Sequence, residues 1–190
     1  MSANSDVENV RNRALQKIGR NVVNFQKMEA MLKFVLAFRE VKGPLSEIGG
    51  QVADRIVSFS KIPMGRLVEK AGSGLYATSP PEASAPASST EITVTVSLSL
   101  EGGKGEARVW KSAMNEVVRE RNRLIHQMLV GFDPRSKQSC EELCIALDAQ
   151  RERFDLEYRH LESLVKAIHE SFRELAQHLD DGTIAIGIDR

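Results

Sequence analysis

Apolar residues recur at three- and four-residue spacing through the first part of the chain, at Val7, Val10, Ala14, Ile18, Val22, Phe25, Met28, Leu32 and Val35. That rhythm predicts one long amphipathic helix running to about Val41 and closed by Gly43-Pro44. Ser5-Asp6-Val7-Glu8 has the spacing of a capping box at its start, and Gly19 inside it marks a bend or a close helix contact. A second, shorter helix is expected over Glu47 to Phe59. Pro63 then opens a brief helical turn through Leu67 and Val68 that ends near Gly72-Ser73-Gly74.

The pattern then breaks. Residues 78–90 are almost entirely Ser, Pro, Ala and Thr, a composition that cannot bury enough to fold and predicts a disordered loop. Residues 91–100 follow as a strand insertion, with Ile92, Val94, Val96, Leu98 and Leu100 alternating with Thr and Ser. A single strand leaves its backbone unpaired. Its candidate partners are Thr183 to Ile188, which also alternates, or the same strand of a second chain. Helical rhythm returns from about Gly105, with Trp110, Met114, Val117, Leu124 and Met128 on one face, and Asp133-Pro134 ends it. Ser139-Cys140-Glu141-Glu142 then reads as a capping box for the last and longest helix. Its seam (Phe154, Tyr158, Leu161, Val165, Ile168, Phe172, Leu175, Leu179) has coiled-coil-like spacing. The expected fold is all-α: an antiparallel bundle of four to five helices, one domain over residues 1–190.

Composition narrows the setting. At 190 residues and 42% apolar content the chain can bury a core without staples. Its formal charge is zero, so any polyanion site must come from local clustering. Cys140 and Cys144 read as small core residues of a reducing compartment. Met1 to Glu8 lacks the apolar run of a signal peptide, and the longest apolar stretch, Met31 to Phe38, is too short to span a bilayer. These features predict a soluble protein of the cytoplasm with no membrane partner.

The charge is polarised along the chain. Lys104 to Met128 carries six basic and three acidic side chains, whereas Lys137 to Asp181 carries six basic and eleven acidic ones. Arg121 falls in the middle of the apolar seam, where a guanidinium needs either a partner or a task. An ion pair across the bundle, with Glu29 for example, is the structural reading. Asn122 and His126 are four apart and share a face, so the amide can orient the imidazole, and Arg119 lies on that face as well. Arg121 and His126 are five apart, roughly 140° around an ideal helix, and converge only through a helix irregularity, side-chain reach or a second chain. Arg plus His is the minimum set for cutting RNA without metal. The histidine moves protons and the guanidinium neutralises the phosphorane. One histidine cannot easily be both acid and base, whereas a symmetric dimer supplies two. His160, His169 and His178 are nine apart, Cys140 and Cys144 have no obvious third ligand, and Gly102-Gly103-Lys104-Gly105 lacks the phosphate-loop spacing. No metal and no cofactor is expected.

Arg121-Asn122-x-x-x-His126, within Glu120-Arg121-Asn122-Arg123-Leu124-Ile125-His126, resembles the signature of the HEPN superfamily: Arg, a polar residue, then His after a short spacer. Arg119 to His126 also fits the loose spacing; Arg121 is favoured because Asn122 follows it. Asn24-Phe25-Gln26-Lys27-Met28-Glu29 and Leu32-Lys33 in the first helix resemble bacterial members of the group. The resemblance implies a helical-bundle homodimer with two motifs facing each other in a cleft, acting as a metal-independent endoribonuclease. Arg121, Asn122 and His126 would be catalytic, and Arg119 and Arg123 would hold flanking RNA phosphates. Many relatives are toxins or anti-phage effectors, which brings in an antitoxin as a partner; others have lost catalysis and only bind RNA or protein. Toxins modified by a nucleotidyltransferase antitoxin carry Tyr two residues after the His, where this chain has Met128.

Overall fold

The computed structural model describes residues 2–76, 93–100 and 103–180. Its elements in chain order are α1 (Ser2–Ala37), β1 (Glu40–Pro44), α2 (Leu45–Phe59), α3 (Met64–Gly74), β2 (Thr93–Ser97), α4 (Lys104–Arg123), a π-helical turn (Leu124–Met128) and α5 (Lys137–Asp180). The fold is the all-α bundle expected from the periodicity, with a small antiparallel ribbon attached. The loop expected over 78–90 and the alternating tail 183–188 lie outside the described residues.

Among the described residues, the second strand has a partner beyond the two candidates. β2 pairs with β1, with Glu40 opposite Ser97 and Pro44 opposite Thr93. The first helix therefore stops at Ala37 and does not continue to Val41. Tertiary pairing overrides local rhythm here, because β2 needs a ladder and Gly43-Pro44 would have ended the helix within a turn anyway. Val41, buried, closes a small second core with Ala37, Ile48 and Val52 beneath the ribbon. Leu98 continues the link, its N–H donating to the Arg39 carbonyl (2.9 Å).

The long helices α1 and α5 form the spine, and they run parallel. Lys17 pairs with Asp148, the Phe25 and Phe154 rings lie 4.6 Å apart, and Phe38 meets Phe172 edge-on at 5.0 Å, so partners rise together along both helices. α4 runs antiparallel to α5: Glu120 meets Arg153 near the middle, and Met128 meets Gln150 further toward the α5 start. α3 packs against α4, with Leu67, Val68 and Ala71 all fully buried. Gly19 is not a close contact, since a Cβ there would meet nothing within 4 Å.

α5 begins earlier than Ser139. The cap is Ser136, whose Oγ accepts the Ser139 N–H (3.2 Å), while the Ser139 hydroxyl accepts the Asp133 N–H (3.0 Å) and fastens the preceding turn. None of the helices among the described residues is long and apolar enough to cross a membrane.

Candidate functional site

The charged residue buried in the apolar face of α4 is Glu120 rather than Arg121. Glu120 is 5% exposed, whereas Arg121 is only half-buried. Glu120 faces α5, where Arg153 and Gln150 receive its carboxylate. A buried carboxylate requires partners. Arg153 of α5 supplies two hydrogen bonds (2.8 and 3.1 Å), and the Gln150 amide donates to the carboxylate at 3.0 Å. Burial pushes the Glu120 carboxyl upward, but the hydrogen bonds from Arg153 and Gln150 and the charges of Arg153 and Arg123 outweigh it, leaving the pKa below its usual value. Gln150 is itself held by Asn21 of α1, whose amide donates to its Oε1 (3.1 Å) and to the Leu147 carbonyl (2.8 Å). Asn21 and Gln150 are fully buried, so three helices meet on one polar chain directly behind the motif.

The motif residues divide by what they touch. Arg119 is tied to Glu116 one turn back, its Nε donating at 2.7 Å. Arg123 faces the Glu120 carboxylate at 3.8 Å. Arg121 has no carboxylate partner among the described residues; its guanidinium donates to the Asn122 side-chain oxygen at 3.2 Å. The expected pairing with Glu29 is absent because Lys33 takes that carboxylate at 2.7 Å. His126 is exposed, and its imidazole makes no hydrogen bond or ion pair among the described residues. Asn122 therefore meets Arg121 and not His126 within one chain.

The stretch that carries the histidine is irregular. Leu124–Met128 is a π-helical turn with His126 at its centre. Its hydrogen-bond step widens from four residues to five, turning each residue through a smaller angle. Residues five apart are thereby drawn nearer one face than the 140° separation of a regular helix allows. This is the kind of irregularity that convergence of Arg121 and His126 requires.

No family model, curated protein or solved structure matches the chain. The site thus stands on its own geometry.

The remaining candidates have structural occupations. Cys140 and Cys144 are free thiols, and burial, followed by the neighbouring Cys144, pushes the Cys140 thiol up, away from the reactive thiolate. His169 stacks on Phe34 at 5.1 Å. The Gly103 N–H donates to the Glu106 carboxylate (2.8 Å) and so starts α4. Among the described residues, no group of three His, Cys, Asp or Glu side chains could hold a metal ion.

Asn21, Gln150 and Arg153 did not stand out in the sequence, although two of them left a signal. Asn21 sits three after Ile18 and four before Phe25, and Gln150 sits three after Leu147 and four before Phe154. Each is a polar residue at a seam position, the same anomaly that drew attention to Arg121.

Proposed function

We propose that the chain is a metal-independent endoribonuclease of the HEPN type, working as a homodimer. The observation that carries this reading is the distribution of charge around the motif: among the described residues, Arg119 and Arg123 are engaged by glutamates, while the Arg121 guanidinium is hydrogen-bonded to a neutral amide and to no carboxylate. Arg121 keeps its full charge for a phosphate, which favours it over Arg119 as the functional arginine. His126 stands exposed nearby on the widened turn, open to solvent and to a large substrate.

In this mechanism His126 takes the proton from the ribose 2′-hydroxyl, whose oxygen attacks the adjacent phosphorus. The Arg121 guanidinium neutralises the pentacoordinate phosphorane. The 5′-oxygen leaves with a proton from the second protomer's copy of the same histidine. Arg119 and Arg123 hold flanking phosphates at the edges of their glutamate pairs. The test is the chemistry of the product ends. Cyclisation by the RNA's own hydroxyl yields a 2′,3′-cyclic phosphate and a 5′-hydroxyl; a 3′-hydroxyl with a 5′-phosphate would require an external nucleophile and contradict it.

Two chains are needed because one motif holds one histidine. Light scattering at micromolar concentration should therefore give about twice the mass of the 21.1 kDa chain; a monomer would remove the shared site. The same reading includes a restraining antitoxin and a cytoplasmic setting.

One observation favours a second reading, a non-catalytic module that binds RNA or protein through the same surface. Asn122 is engaged by Arg121, so nothing among the described residues of one chain orients the His126 ring. In that case RNA binds and is not cut.

A further inference from the structure

We infer that Gln150 is a positioning residue: its buried side-chain amide holds the widened turn Leu124–Met128 and so sets where His126 stands relative to Arg121. A π-helical turn is rare, occurs mostly as a single widened turn and is frequent at functional sites; here it ends the helix that α4 begins. Gln150 adds a hydrogen bond to the last regular rung before the turn without displacing that rung. Its Nε2 donates to the Glu120 backbone carbonyl at 2.9 Å, a carbonyl that the Leu124 N–H also reaches from within the helix. The same nitrogen meets the Met128 sulfur at 3.5 Å. One amide therefore touches the helix just before the widened turn and again at its last residue, bracketing His126.

The amide has no freedom to do otherwise. Gln150 is fully buried, its Nε2 is further bound to the Glu120 carboxylate, and its Oε1 accepts from Asn21. Asn21 in turn is fixed by the Leu147 carbonyl and by the Arg20 guanidinium, which donates to its side-chain oxygen at 3.0 Å. Position is thus transmitted from α1 through α5 to the turn. The catalytic consequence rests on the ribonuclease reading; the hold on the turn does not.

Gln150→Met keeps an unbranched side chain of similar length and removes both donors. In the folded variant, NMR Cα shifts over residues 124–129 should move toward regular α-helix while those of residues 104–118 stay in place. Misplacing a catalytic group by about 1 Å is worth on the order of 10²-fold in rate, so cleavage should fall on that scale, in kcat rather than KM. Asn21→Ala is the second variant, for the case in which Gln150→Met does not fold. Among the described residues Asn21 makes no hydrogen bond to α4, so the hydrogen-bonded route from it to residues 124–129 runs through Gln150. Unchanged shifts in either folded variant overturn the inference whether or not the wild type cleaves RNA. Moved shifts with an undiminished rate overturn the link to catalysis. Moved shifts in a protein that never cleaves RNA support the hold on the turn and remove only the ribonuclease reading.

Discussion

Arg121→Ala and His126→Ala should each remove RNA cleavage, and only the first should weaken RNA binding. The guanidinium meets phosphate charge in the ground state and more of it in the phosphorane, so its loss raises both Kd and the barrier. The imidazole moves protons only as the reaction proceeds, and proton transfer of this kind is typically worth about 10²–10⁴-fold in rate. Arg119→Ala should act differently. Its charge is shared with Glu116, so the variant should lose a small part of the affinity and keep most of the rate. Gel assays for cleavage and filter binding for affinity separate these effects. Equal loss of binding in both principal variants would place His126 in ground-state contact and favour the module that binds without cutting.

Glu120→Ala should be the most destabilising single change near the site. It leaves the Gln150 amide and the Arg153 guanidinium without the acceptor that three hydrogen bonds now reach. Breaking a buried pair by removing one partner costs about 3–5 kcal/mol, and the low end applies because Arg153 keeps one side toward water. For a chain of this length, about 3 kcal/mol corresponds to roughly 6–12 °C in Tm. The same group gives a pH signature. Its folded pKa is lowered, so its contribution is fully present above the pKa of the unfolded chain and is lost as pH falls through the folded value. Acidification should therefore lower the Tm of the wild type more steeply than that of Glu120→Gln, which has no charge to lose. Parallel acid melts of the two proteins would show Glu120 to be uninvolved.

Helical content was legible because the seams of α1, α4 and α5 repeat over many turns, and burial of Phe25, Met28, Leu32, Phe154, Leu161 and Ile168 follows them. What local pattern could not reveal was pairing at a distance. Val41 continues the helical rhythm of α1 in sequence, yet it is claimed by a strand more than fifty residues away, opposite Val96. The same limit applied at the site. Arg121 and Glu120 are adjacent, and helical arithmetic favoured Arg121 as the buried one. The choice was made by Arg153 and Gln150 on α5, which no spacing within α4 encodes. The irregular turn at His126 was likewise open from sequence, since Leu124 to Met128 has neither Gly nor Pro to mark it. The reverse holds for the motif itself, whose residue types are visible only as sequence. The fold adds that Arg121 has no carboxylate partner among the described residues, that Asn122 is turned toward it, and that His126 is exposed.

The most direct measurement is incubation of purified protein with total RNA in excess EDTA, beside His126→Ala prepared identically. Metal-independent cleavage by the motif predicts fragments in the wild-type lane, ending in 2′,3′-cyclic phosphate, and intact RNA in the variant lane. Cleavage that vanishes with EDTA, or that persists undiminished in His126→Ala, would contradict it.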